Sequence, residues 1–344
     1  MRMETSKSEG EAAMEARWLI ETRGDPLGEV QQVMIDAWEG LDLDLMMVST
    51  NGDGRPHILT HSEELQQVNP FKPLMTKNNA KYLPQILQNN PDSRVGVLLR
   101  PCEMRALQGK QKREAIPEER IVTITVDCLS TYPEDDYQWR SKRTGSPKGS
   151  DLNSLQFARQ GGIAAYRFRS ACQACRSPVG QDADINIGVI GLPVRQKILI
   201  QVRGGTTLDL LIDKHPPTDE ESDLLQQRDR IVSRLLQRSS QTRKRLFDNL
   251  ASVLPRNLDA LLDHFEGCGE CRDCLDVCPL CDSQYPAKDI HGRYLRSDVK
   301  QWMISCAGCG MCEQACPNHL PLVSYFAFIQ GQLAGSSDPA ARIH

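Results

Sequence analysis

The stretch "SRVGVLLRPCEMRALQGK", residues 93–110, taken with "RIVTITVDCLS", residues 120–130, decides the fold of this chain. Residues 94–99 form an apolar run of strand length, "RPC" is a tight turn, and from about Glu103 the sequence reads as a helix. The second segment is a β-branched strand that also ends in a cysteine, Cys128. Strand, helix and strand joined as one right-handed unit make the two strands parallel. Cys102 and Cys128 then both fall just past the carboxyl edge of one sheet, where open α/β folds hold their ligands. Cys102 precedes a helix, whose free amides favour a thiolate or an anionic cluster, and Arg100 and Arg105 add positive charge there.

Further elements follow on either side. "GEVQQVMIDAWEGL" (28–41) has helical spacing, and "DLMMVST" (44–50) reads as a strand ending in the turn "NGDG". "DINIGVIGL" (184–192) and "QKILIQVRGG" (196–205) read as strands, and "SKRTGSPKGSDLNS" (141–154) as a surface loop. The first twenty or so residues are polar and expected to be loose. From Thr218 the texture becomes long, polar and helical, with Thr218 and Glu221 spaced as a capping box. "NLDALLDHFEG" (257–267) leads into a cysteine repeat, and "LPLVSYFAFIQGQL" (320–333) is apolar enough to dock the C-terminal part on the body.

That repeat is "CGECRDCLDVCP" (268–279) and "CAGCGMCEQACP" (306–317). Each run wraps three thiolates around one centre and places a fourth cysteine before a proline. In two-cluster ferredoxins that fourth cysteine ligates the opposite cluster. The spacing therefore predicts one 4Fe-4S cluster on Cys268, Cys271, Cys274 and Cys316, and a second on Cys306, Cys309, Cys312 and Cys278. Zinc knuckles usually come as paired CxxC motifs, which two triplets with distant CP pairs do not match. Cys281 fits neither quartet and reads as a buried apolar thiol. Cys102 and Cys128, together with "CQAC" (Cys172 and Cys175), make a further set of four. Three readings stay open for it: a third 4Fe-4S cluster, a zinc site, or unconnected structural or redox cysteines.

Composition bounds the rest. The chain has 344 residues, 40% hydrophobic and 25% charged, enough for two domains or one domain with a small module. A net charge of -4 and 5% aromatic residues argue against a nucleic-acid partner, and the basic run "QTRKRLF" (241–247) reads as a solvated helix face. No apolar stretch reaches membrane-spanning length and no secretory signal is present, so a cytoplasmic location is expected, with the 13 cysteines reduced.

"LLRPCEMRAL", "DCLSTYPEDDY", "RSACQACRSPVGQDADINIGVIG" and the C-terminal repeat together resemble the beta subunits of deazaflavin-coenzyme-reducing hydrogenases and of the related formate dehydrogenases. The resemblance runs from about residue 45 to 320. It implies an iron-sulfur flavoprotein, with FAD beside a cluster on Cys102, Cys128, Cys172 and Cys175. It also implies exchange with a deazaflavin coenzyme and a catalytic partner of formate dehydrogenase, hydrogenase or disulfide-reductase type. The first fifty residues depart from the family in lacking the glycine-rich stretch that its flavin-binding members carry. Candidate contacts to a flavin phosphate or ribose are Lys77 and Asn78 in "MTKNNAKYL" and Gly204 and Gly205 in "VRGGTT", each of which also reads as an ordinary helix start or turn.

"PEDD" (133–136) reads as a solvated turn, His57 and His61 as satisfied strand histidines rather than proton-transfer groups near a flavin, and His291 and His319 as packing or hydrogen-bonding residues. The chain is thus expected to have an α/β body with a partly parallel sheet (26–215) behind a flexible segment (1–25). A helical connector (216–265), a ferredoxin-like module with two 4Fe-4S clusters (266–330) and a tail (331–344) follow. The expected role is an electron-transfer subunit of an oxidoreductase, or a flavin-free iron-sulfur docking subunit of such a complex.

Overall fold

The computed structural model describes residues 16–49, 56–144, 154–161, 168–180, 182–203, 218–251, 254, 260, 271–281 and 285–335. Its centre is the predicted unit. Strand β4 (Val95–Leu99) runs into helix α3 (Pro101–Gln111), and the chain returns as β5 (Ile121–Val126), parallel to β4. Both strands are buried along their whole length, as continuous apolar runs covered on two faces should be. Parallel pairing continues to β2 (Leu45–Val48) on one side and β6 (Ile185–Gly188) on the other. Antiparallel strands finish the sheet: β3 (His57–Leu59) on β2, and β7 (Lys197–Val202) and then β1 (Ala16–Glu21) beyond β6. Among the described residues the order is β1-β7-β6-β5-β4-β2-β3, a mixed seven-stranded sheet.

β1 corrects the expectation of a loose segment as far as residue 25. Residues 16–21 pair with β7 throughout, and Trp18 and Ile20 pack against the core. A polar average over the first twenty residues hides this short alternation, which has the period of a half-buried strand.

Helices cover both faces. Val30, Met34 and Trp38 of α1 (Pro26–Gly40) share a core with Met46, Ile124 and Ile185. On the other face, Leu83 and Leu87 of α2 (Leu83–Asn89) pack with Leu107 of α3 and with Leu280 and Ala307 from the C-terminal part. The acids of "PEDD" do not form a free turn: Glu134, Asp135 and Asp136 occupy the first turn of α4 (Glu134–Thr144), where the helix dipole favours them. The short helix α5 (Ser170–Gln173) carries the first cysteine of CQAC.

The 33-residue helix α6 (Asp219–Ala251) starts with reciprocal capping bonds: Glu221 N–H to Thr218 Oγ1 at 3.3 Å, and Thr218 N–H to Glu221 Oε2 at 3.0 Å. Lys197 adds an ion pair to Glu221 at 2.7 Å. Two turns later Arg228 reaches into the sheet and meets Asp127, with both side chains buried and 3.1 Å between Nη2 and Oδ2. Gly191 makes room for it at φ 82; a Cβ there would lie 3.0 Å from Arg228 Cα.

The C-terminal part consists of short helices, α7 (Asp273–Asp276), α8 (Arg296–Ile304) and α9 (Met311–Ala315), a single β-bridge between Lys288 and Tyr294, and α10 (Leu322–Gly335), which packs along α6. No helix among the described residues is long and apolar enough to cross a membrane.

Candidate metal centre

The parallel unit places Cys102 in the first turn of α3 and Cys128 just past β5, at the same edge of the sheet. Glu103 secures the helix start: its carboxylate accepts the Arg100 and Asn79 amides, each at 2.8 Å. Arg100 turns back to donate to the carbonyls of Lys72 and Leu74, at 2.7 and 2.9 Å, with Nη1 lying 3.9 Å from Cys128 Sγ. The loop bearing Cys172 and Cys175 closes over this edge, since the Cys128 amide bonds Pro178 O at 2.7 Å and Thr131 Oγ1 lies 3.3 Å from Cys172 Sγ. Arg105 Nη2 stands 3.9 Å from Cys175 Sγ.

The thiols sense one another. Burial pushes Cys102 well above its ordinary pKa, with Glu103, Cys128 and Cys309 adding to the rise and Arg105 opposing it. Cys128 is raised by burial and by Cys172, against the pull of Arg100. For Arg100 itself burial disfavours the charge, yet Cys128, Glu103 and Cys102 outweigh it and hold the guanidinium charged. These are half-buried thiols beside fixed cations, a setting in which a bound metal can stabilise the thiolate.

In the C-terminal part, Cys306, Cys309 and Cys312 follow one another through a turn in which Gly308 and Gly310 are left-handed, at φ 66 and 72. The Gly308 amide points at Cys306 Sγ, 3.4 Å away. Burial drives Cys306 up to about 12, with Cys309 and Cys278 contributing. Cys312 is raised by burial and by Cys306, Cys309, Cys278 and Cys274. Cys278 and Cys274, from the other run, are thus both close enough to bear on the second triplet. Trp302 Nε1 donates to the Cys278 sulfur at 3.4 Å, and Cys278 is brought down to about 6 chiefly by Cys281, with Trp302 and the Leu280 and Cys281 amides assisting. Cys281 is buried as expected, but as a donor to Cys278 and not only as filler.

Cys274 and Cys316 lie in the apolar core built by Trp302, Phe326 and Ile329, while Cys271 is exposed. Cys268, Gly204 and Gly205 lie outside the described residues. Among the described residues, no three His, Cys, Asp or Glu side chains are spaced for a single metal ion.

The structure places the residues considered for cofactor contacts as follows. Arg100 and Arg105 are taken up by carbonyls and thiols of the protein. Asn78 is buried, its Oδ1 accepting the Ala80 amide at 3.1 Å, and it stands beside Cys309; Lys77 next to it is half-buried. His57, His61, His291 and His319 are all exposed. Sequence reasoning missed Asp127, whose carboxylate collects the amides of Gly180, Val189 and Ile190 as well as Arg228. An acid directly after a β-branched strand was the available signal.

No protein-family model matches the chain. The chain is 21% identical over 324 residues to the F420-dependent formate dehydrogenase subunit beta of Methanocaldococcus jannaschii, covering 81% of this chain and 80% of that protein. Similarity at this level supports a family-level relation to an oxidoreductase subunit.

Proposed function

We propose that this chain is the electron-transfer, beta-type subunit of an oxidoreductase complex, linking a flavin or deazaflavin carrier to a catalytic partner of formate dehydrogenase, hydrogenase or disulfide-reductase type. Three 4Fe-4S clusters would be held by the cysteines named above: Cys102, Cys128, Cys172 and Cys175 at the sheet edge; Cys306, Cys309, Cys312 and Cys278 next to it; and Cys268, Cys271, Cys274 and Cys316 beyond. The observation that supports the reading is that Cys278, from the first run, is close enough to bear on the ionisation of Cys306, Cys309 and Cys312 of the second. The donor set fits such a group, because Cys309, Cys312 and Cys316 are buried and N–H donors from Gly308 and Trp302 meet the sulfurs of Cys306 and Cys278. Bound clusters of this type take up and release single electrons. The chain's own part is to supply thiolates, exclude water and offer donors to the charged sulfurs.

Iron, sulfide, zinc and flavin are quantified on anaerobically prepared protein. About twelve irons per chain are expected, and about eight would confine clusters to the repeat. Cys278→Ser is expected to abolish the same electron paramagnetic resonance signal as Cys309→Ser; a match with Cys271→Ser instead would remove the crosswise assignment. A second reading, a flavin-free docking subunit, is supported by the commitment of Arg100 and Arg105 to protein groups. Flavin fluorescence on denaturation decides between the two.

A further inference from the structure

Two arginines from the body cross to the C-terminal cysteine turn. Arg105 lies one turn into α3 from Cys102. Its three guanidinium nitrogens have three destinations: Cys175 Sγ at 3.9 Å, Ser177 O at 3.0 Å and Ala307 O at 3.3 Å. Ala307 sits between Cys306 and Cys309. Arg169, also buried, donates from Nη1 to Thr131 Oγ1 at 3.3 Å, the hydroxyl that faces Cys172 Sγ, and from Nη2 to the carbonyl of Cys309. The seam is tight. A Cβ at Gly310 would lie 2.5 Å from Ala171 Cβ and 2.9 Å from Arg169 Nη2, and Ser170 donates to Glu313 across the same boundary. Cys271, by contrast, is exposed.

We propose that Arg105 and Arg169 are positioning residues that make the sheet-edge cysteine site and the Cys306–Cys312 site the adjacent pair for electron exchange, with the Cys271 site beyond them. The inference rests on the cluster assignment proposed above and adds the order of the sites and the groups that couple them. Two anionic centres side by side repel, and an electron added to either raises the cost of adding one to the other. A guanidinium set between them, on Cys175 Sγ on one side and on the carbonyl between Cys306 and Cys309 on the other, lowers that cost for both, and the effect is strong where water is excluded. The exchange moves one electron from one site as the other accepts it; no bond is made or broken and no proton is required.

The test is a redox titration of the intact, iron-loaded protein followed by electron paramagnetic resonance, with the Cys271 signal identified by its loss in Cys271→Ser. In Arg105→Gln, the reduction equilibria of the sheet-edge and Cys306–Cys312 sites are expected to fall about tenfold, which is about 59 mV for a one-electron couple, while the Cys271 site stays put. Arg105→Lys keeps the charge and is expected to recover at least half of the shift; a lysine variant as displaced as the glutamine variant overturns the proposal. So does a shift confined to one site, equal at all three, or absent. If Arg105→Gln loads less iron, the loss must fall on the two sites that flank the guanidinium, and loss confined to the Cys271 site is equally fatal. Wild-type protein with about eight irons sinks both this proposal and the three-cluster reading, whereas about twelve irons without a paired shift sinks this one alone.

Discussion

The two cysteine regions are built by opposite means. At the sheet edge, Cys102 and Cys128 are delivered by β4, α3 and β5, whose apolar contacts close without them: Val97, Leu99 and Leu107 pack with one another and with α2. In the C-terminal part the cysteines are themselves core residues, and Cys281, Cys312 and Cys316 are buried with Trp302, Met303 and Phe326 in a small cluster served by short helices. A small core of this size is marginal by itself, and groups that bind its thiols contribute to its folding directly. The first region is a scaffold that presents thiols; the second is assembled around them.

The largest expected effect tests that contrast head-on. Exhaustive removal of iron should strip hydrogen-exchange protection from residues 271–335 while β4 and β5 stay protected, and equal loss in both would end the distinction. Next comes the Asp127–Arg228 pair, which ties α6 to the scaffold beside Cys128. Asp127→Ala leaves a buried guanidinium uncompensated and should cost about 3–5 kcal/mol, seen as a lower denaturation midpoint for the sheet.

Leu280 probes the boundary between the two regions, since it packs into the body core against α3. Leu280→Ala should cost about 2–5 kcal/mol and should raise proteolysis of the C-terminal part more than that of the sheet. The smallest effect is at the head of α6. Thr218→Ala should cost about 1 kcal/mol. Glu221 there is held below the usual carboxylate range by the Lys197 bond and the Thr218 amide. Its contribution is therefore complete above the ordinary carboxylate pKa and is lost as pH falls through the lower folded value. Melting temperature against pH should be flatter in that acidic window for Glu221→Gln than for wild type.

Much of the scaffold was legible because its signals are local. The apolar runs at 95–99 and 121–126 and the helix between them fix a parallel pair, and from that pair the convergence of Cys102 and Cys128 follows. What escaped depends on long-range partners. Nothing near Ala16–Glu21 announces its pairing with β7, and nothing local to Arg228 announces Asp127. The roles of Arg105 and Arg169 were hidden for the same reason. Their guanidinium groups bond backbone carbonyls from distant loops, and a carbonyl has no residue identity to read.

Helix α6 measures as well as supports. Arg17 grips it at Asp229 at 2.9 Å, Arg228 enters the sheet beside it, and further along Arg243 donates to Cys175 O at 2.9 Å. Arg228 and Arg243 are about 22 Å apart along the axis at about 1.5 Å per residue. Deleting one residue between them would swing the far arginine through about 100°. The spacing from the Asp127 anchor to the CQAC loop is thus set in whole residues, and the rod tolerates substitutions along its wet side far better than any change in its length.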